Sequence, residues 1–343
     1  MGTPTSEFSY ELPDDFIAQR PIEPRDASRL LDVDSLSDHR FSDLPGLLSP
    51  GDVVVVNRSR VRAARLLGTK LDGGGRVEAL LLRPITDALW QAIVRPARRL
   101  RPGTAIDFGE IKATIETLPD DGIVEMSLVA EGVLEDVIAA TGTVPLPPYI
   151  HEQLPDPERY QTIFAQTTGS AAAPTAGLHF TAGIVEELRS RSINVVEVEL
   201  VIGLDTFRPI SAAYIQDHQI HSESVTIPMA AAESINKRRG KVVAVGTTVV
   251  RALESRASPD GWVEAGSDDT CLYITPGYRF RVVDRLITNF HLPGTSLIVL
   301  VASFMGEGWR LAYETALARG YRFASFGDAM IATRQASGSG DDS

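Results

Sequence analysis

With 343 residues, 43% of them hydrophobic and 23% charged, the chain has the size and composition of a soluble globular protein with one large domain or two ordinary ones. No run of roughly 18 or more apolar residues exists, so the sequence offers no membrane span. Met1 to Glu7 lack the basic start and apolar stretch of a secretory signal, and one cysteine, Cys271, cannot form an internal disulfide. We therefore expect a cytoplasmic enzyme or binding protein.

The elements expected in chain order give an interrupted layout. Up to about residue 61, a turn-rich entry leads into the β-type run Val53 to Val56, which ends at Asn57. Over residues 62–144 short β-prone stretches recur: Arg76 to Leu82, Trp90 to Val94, Ile111 to Thr117 and Ile123 to Leu128. Turn signals such as Asp72-Gly73-Gly74-Gly75, Pro102-Gly103 and Asp120-Asp121-Gly122 separate them, the spacing of a small all-β sheet or barrel. After Pro145-Leu146-Pro147-Pro148, strands alternate with helices. Ile184 to Arg191 reads as helix, Asn194 to Leu200 as strand, and Ala230 to Arg239 as helix. Lys241 to Val245 is then a strand, followed by a helix from about Thr248 to Ser255. This grammar predicts an α/β fold with a mixed, mainly parallel sheet covered by helices. Residues 1–61 and 145–335 would form that discontinuous domain around an inserted small β-barrel domain, 62–144. The Ser/Gly/Asp-rich tail, 336–343, is expected to be disordered.

Charge argues both ways about partners. A formal net charge of −12 opposes non-specific attraction to nucleic acid. The cations are clustered, however: Arg95, Arg98, Arg99 and Arg101 in one group, Lys237, Arg238, Arg239 and Lys241 in another. A local basic face binds RNA even on an acidic protein, because salt screens distant charge beyond about 8–10 Å. A merely solvated surface is the competing reading for both clusters.

Four segments carry candidate chemistry. Ala173-Pro174-Thr175-Ala176-Gly177-Leu178-His179-Phe180-Thr181 is a small-residue loop with a histidine just before a helix that begins near Thr181. His179 is placed either for proton transfer near neutral pH or for a bond to a loop carbonyl. His218-Gln219-Ile220-His221-Ser222-Glu223 sets two histidines beside a carboxylate, a proton-transfer set, with a metal site or a polar surface strand as alternatives. Val242 to Val245, Gly246, Thr247, Thr248 and Arg251 form a strand–turn–helix unit. Such a turn suits an anionic group at a helix N-terminus, or simply tight packing, and it matches neither a P-loop nor a dinucleotide fingerprint. In Leu286 to Pro293, Asn289 and His291 would face the same side of an extended chain, for base recognition or proton relay, or His291 would be a core histidine.

These segments resemble, in order and separation, the signature stretches of the S-adenosylmethionine:tRNA ribosyltransferase-isomerase family of queuosine biosynthesis. Further matching stretches are Tyr10-Glu11-Leu12-Pro13, Ile17-Ala18-Gln19, Arg25-Asp26-Ala27-Ser28-Arg29-Leu30, and Asn57-Arg58-Ser59-Arg60-Val61. Val94 to Arg99, Pro145 to Ile150 and Glu158-Arg159-Tyr160-Gln161-Thr162 follow, so the resemblance runs from about Phe8 to Ile331. It implies a mixed α/β domain with an inserted β-barrel. It also implies a transferase and isomerase acting in tRNA modification in the cytoplasm. The ribosyl part of S-adenosylmethionine is moved to 7-aminomethyl-7-deazaguanine at the tRNA wobble position. Epoxyqueuosine-tRNA forms, and adenine and methionine leave.

From the resemblance we expect His179, His221 and Glu223, with His218, to transfer protons. Thr247, Thr248 and Arg251 would hold the methionine end of the donor, and Asn289 and His291 would face a base. Arg95, Arg98, Arg99 and Arg101 would contact tRNA phosphates, joined by Arg60 and Arg65. S-Adenosylmethionine is a co-substrate, no cofactor or metal is expected, and the chain would act as a monomer away from membranes. The sequence departs from the family pattern at Val201, usually histidine; Asp205, usually glycine; Arg58, usually acidic or amide; Val249, usually serine; and Gly294, usually lysine. Three rivals follow: a relative with an altered acceptor, a non-catalytic RNA-binding relative, and a methyltransferase, which would need a glycine-rich nucleotide loop not found here.

Overall fold

The computed structural model describes residues 2–203, 209–220 and 222–335. In chain order, β1 (Arg29–Asp32) and β2 (Ser37–Arg40) make a hairpin, and α1 (Leu44–Leu47) leads into β3 (Val53–Asn57) and β4 (Ser59–Val61). Next come β5 (Arg65–Lys70), β6 (Arg76–Pro84), β7 (Leu89–Arg95), β8 (Ala105–Asp107), β9 (Ile111–Ile115), β10 (Ile123–Ala130) and α2 (Leu134–Thr141). After β11 (Thr167–Ser170) follow α3 (Ala182–Ser190), β12 (Asn194–Leu200), β13 (Glu223–Ile227), α4 (Met229–Asn236) and β14 (Val242–Val245). The chain continues through α5 (Thr247–Ser255), β15 (Gly266–Thr270), β16 (Arg285–Asn289), α6 (Ser296–Met305), α7 (Gly308–Ala318) and β17 (Ala329–Thr333). Two compact units result. One takes the chain up to Arg60, Pro147–Thr167 and the chain from Ala173 onward; the other takes Val61–Leu146 and Thr168–Ala172.

In the larger unit, nine strands among the described residues form one sheet, in the order β15-β13-β12-β3-β14-β16-β17-β1-β2. Its centre, β12-β3-β14-β16, is parallel. There β3 and β14 are valine-rich and buried along their whole length, as a strand covered on both faces requires. The parallel share is smaller than strand–helix alternation alone suggests, because the connections differ. One helix between two strands returns the chain parallel, but α6 and α7 together form an up–down pair, and β17 comes back antiparallel to β16. β13 follows β12 without an α-helix among the described residues and is antiparallel to it. Phe41, Val54, Val56, Phe180, Leu188, Val243 and Ile287 belong to one buried cluster over this sheet.

The smaller unit is a closed barrel in the order β10-β7-β6-β5-β8-β9. Its longer strands alternate between buried and accessible positions along their central residues. Val77, Ala79 and Leu81 point inward from β6, Trp90, Ala92 and Val94 from β7, and Val124, Met126 and Leu128 from β10. Period-two burial is what lets each strand fill a small barrel with side chains. Ile138 of α2 joins the same core. The basic group following β7, with Arg95, Arg98, Arg99 and Arg101, is exposed on this unit.

Four carboxyl-terminal strand ends, at Asn57, Leu200, Val245 and Asn289, define one edge of the parallel centre. Asn57 ties two of them together: its Nδ2 donates to the Leu200 carbonyl (2.9 Å), and its Oδ1 accepts from the Leu200 and Ser59 amides (3.2 and 3.0 Å). Ligands of open α/β sheets bind at this edge, where strands empty into loops.

Candidate active site

The turn from β14 into α5 opens the site. Gly246 has φ of +93°, a backbone state that an L side chain resists, and its N–H bonds the Ile287 carbonyl of β16 (2.7 Å). α5 starts at once with Thr247 and Thr248 and has no side-chain cap. Thr248 and Arg251 are one turn apart and share a helix face. Arg251 is anchored twice. Its Nε donates to the Leu272 carbonyl (3.0 Å), and its Nη1 makes an ion pair with Glu223 Oε2 at the start of β13. Glu223 Oε1 accepts from the Gly203 amide (3.1 Å). Both charged side chains are nearly sealed, at 13% and 7% exposure, so neither is an ordinary surface ion.

Around this pair lies a cavity whose empty space, counted out to its open mouth, is about 660 Å³. Its walls include His218, Glu223, Thr247, Thr248, Arg251, Tyr273 and apolar Leu272, Ile274, Leu297 and Leu300. Among the described residues, three polar atoms of these lining side chains are buried and without a hydrogen-bond partner: Thr248 Oγ1, Arg251 Nη2 and Tyr273 Oη. Such orphaned groups cost about 1–3 kcal/mol each, and their gathering in one cavity is the mark of a site built for a ligand. His218 packs edge-on against Tyr273, with ring centroids 5.6 Å apart.

The cavity thus unites five residues singled out in the sequence: His218, Glu223, Thr247, Thr248 and Arg251. His221 and Asp205 lie outside the described residues. His179 is not among the cavity's lining residues. It faces a separate, smaller cavity with Arg25 and Arg159, and both ring nitrogens are engaged. The tautomer follows from its neighbours. The Asp328 carbonyl can only accept, so Asn289 Nδ2 turns towards it (3.4 Å), and the same nitrogen lies 3.1 Å from His179 Nε2. Nε2 must accept, which leaves the proton on Nδ1, 2.7 Å from Ser28 Oγ. Ser28 in turn donates to the Arg25 carbonyl (3.2 Å), and Thr175 Oγ1 donates to Asn289 Oδ1 (2.9 Å). Burial pushes the imidazole pKa down to about 4, with the nearby Asp328 carboxylate opposing and Arg322 and Arg25 reinforcing. Phe41 stacks on the ring at 4.9 Å. His179 is therefore a neutral, doubly bonded group, and the shared pocket expected for His179 and Glu223 is not formed.

Asn289 and His291 part company as well. β16 ends at Asn289, and the His291 ring turns back to Thr288 Oγ1 (2.8 Å), whose side chain leaves the strand on the face opposite Asn289. The His291 amide donates to Tyr313 Oη (3.0 Å), and burial lowers its imidazole pKa to about 3. It is a core histidine, and Asn289 directs its Nδ2 to His179 and the Asp328 carbonyl while its Oδ1 accepts from Thr175. Among the basic residues, Arg60 and Arg65 are paired with Glu158 and Glu78, whereas Arg95, Arg98, Arg99 and Arg101 stay exposed. Sequence reasoning missed Tyr273 and Ser28. Tyr273 follows an edge strand with no pattern of its own, and only tertiary packing brings it to the cavity wall.

Comparison with known proteins accords with this architecture. The family model described as "Queuosine biosynthesis protein" matches residues 5–332. The chain belongs to this queuosine biosynthesis family. A relative from Moorella thermoacetica, named S-adenosylmethionine:tRNA ribosyltransferase-isomerase, is 49% identical over 337 residues, covering 95% of this chain and 98% of its own. One of the same name from Symbiobacterium thermophilum is 47% identical over 336 residues, with the same coverage. The crystal structure of S-adenosylmethionine tRNA ribosyltransferase from Thermotoga maritima, 32% identical, covers 95% of this chain and 100% of its own with a TM-score of 0.53. The departures of this family member take defined places. Arg58 pairs with Glu199 (3.2 Å), Val249 is fully buried within α5, and Gly294 adopts a φ of +67°, where glycine is favoured over lysine.

Proposed function

We propose that this chain transfers and isomerises the ribosyl part of S-adenosylmethionine onto the aminomethyl nitrogen of 7-aminomethyl-7-deazaguanine at the tRNA wobble position. Epoxyqueuosine-tRNA is formed, and adenine and methionine are released. The observation that carries the reading is the cavity at the carboxyl edge of the parallel strands, where Thr248 Oγ1 and Arg251 Nη2 stand buried and unpaired on one face of α5. A carboxylate supplies what both lack. It accepts from the guanidinium and the hydroxyl and gains from the positive end of the helix dipole, so Thr247, Thr248 and Arg251 hold the methionine end.

The chemistry follows from the donor. A sulfonium acidifies the adjacent ribose carbon, so a positioned base removes a proton there; an acid assists the departing adenine; and the attacking amine must be neutral. Glu223, His218 and the sequence-adjacent His221 form the proton-transfer group. Glu223 stays oriented because Arg251 and the Gly203 amide each hold one of its oxygens. The apolar walls keep water from the reacting centre. His179 takes no proton in this scheme; with Asn289 it fixes the loop at Thr175. Arg95, Arg98, Arg99 and Arg101 contact tRNA phosphates, and no step requires a metal or a redox cofactor. The test is mass spectrometry of the small molecules released when protein, S-adenosylmethionine and precursor-bearing tRNA are mixed. Free adenine and methionine in equal amounts are expected. S-Adenosylhomocysteine would indicate methyl transfer, and no product would indicate a binding protein.

A further inference from the structure

The third orphaned group in the cavity, Tyr273 Oη, is not used by the methionine end. Thr248 and Arg251 project from one helix face and are matched by a single carboxylate, whereas Tyr273 comes from the segment after β15, between apolar Leu272 and Ile274 and edge-on to His218. Its hydroxyl oxygen is buried and has no hydrogen-bond partner among the described residues. A phenol in this state is an oriented donor and acceptor awaiting a polar group that arrives with an otherwise apolar, flat ligand portion. The methionine half of the donor carries ammonium, carboxylate and sulfonium groups. The nucleoside half carries a planar base and sugar hydroxyls, the combination that this wall complements.

We infer that Tyr273 is a specificity-determining residue that hydrogen-bonds the adenosine half of S-adenosylmethionine, while Arg251 and Thr248 hold the other half. The inference rests on the donor reading above and deepens it. Burial pushes the phenol pKa up to about 12, so the group keeps its proton across the working pH range and serves as a donor without becoming a base.

The experiment compares the wild type with Tyr273→Phe. Removing a buried hydroxyl that has no internal partner leaves the free protein as stable as before, or more stable. Binding of S-adenosylmethionine, read by calorimetry, is expected to weaken about tenfold, the worth of one good neutral hydrogen bond to a buried group. Competition with the fragments sharpens this: adenosine should lose affinity in Tyr273→Phe while methionine competes as in the wild type. A Tyr273→Phe protein that binds the donor equally well, or loses both fragments alike, overturns the inference. So does a lower melting temperature of the free variant, since the hydroxyl would then have an internal role. Wild-type protein that fails to bind S-adenosylmethionine removes the donor reading and this inference together. Wild-type protein that binds, beside an unaffected variant, removes the inference alone.

Discussion

Two polar clusters near the carboxyl edge of the same sheet differ in one respect: whether their hydrogen bonds are complete. Around His179, each side-chain group has found its complement, in a chain from Thr175 through Asn289 and the imidazole to Ser28 and the Arg25 carbonyl. Around Glu223 and Arg251 the main ion pair is made, yet Thr248 Oγ1, Arg251 Nη2 and Tyr273 Oη are left over. A closed network stabilises the fold and has nothing to offer a ligand. An open one costs stability in the free protein, and binding recovers it. Residue type alone does not separate the two, because both clusters carry histidine and both sit in stretches shared with the family.

This contrast makes graded expectations. The largest effect belongs to Glu223→Gln. Turnover should fall roughly 10²–10⁴-fold, the usual worth of a positioned acid or base, while calorimetry still detects donor binding. Near-normal turnover would move the proton chemistry out of this cavity. Thr248→Val should come next, because it keeps the shape and deletes one orphaned hydroxyl. Donor affinity should drop about threefold to tenfold, and the melting temperature of the free protein should hold or rise. A marked destabilisation would mean that the hydroxyl is not free.

His179→Gln should be the mildest for turnover near neutral pH, and its signature is in acid unfolding. The unfolded imidazole protonates near its ordinary 6.5, the folded one only near about 4. Between these values the unfolded chain binds more protons, so native stability falls as pH drops through the window. One such group accounts for at most about 3 kcal/mol across it. Urea unfolding midpoints measured from pH 7 to pH 4 should decline less steeply in His179→Gln than in the wild type, with His291 supplying a remaining slope. An acid limb of kcat/KM that disappears in His179→Gln would contradict the positioning role and restore the histidine as a catalytic base.

Much of the fold was legible in the sequence because burial imposes period. The barrel strands announced themselves by alternation and glycine turns, β12 was placed at Asn194 to Leu200, and Thr181 does cap α3, accepting from the Ile184 amide. The strand–turn–helix unit at Gly246 was also readable, since only a small residue suits that backbone. The separation of His179 from Glu223 was not, because sequence proximity to a loop or helix start says nothing about which side chains share a cavity. His291 failed for a related reason: alternation predicts direction only while the strand lasts, and β16 stops two residues earlier. Tyr273 carried no local signal, and its role became visible only as an unmet hydrogen bond.

A crystal structure with S-adenosylmethionine bound would test the central claim most directly. The account predicts the methionine carboxylate about 3 Å from Arg251 Nη2 and Thr248 Oγ1, with the ribose facing Glu223. A donor seated instead in the small cavity beside His179, Arg25 and Arg159, with the three orphaned atoms still unpaired, would contradict it.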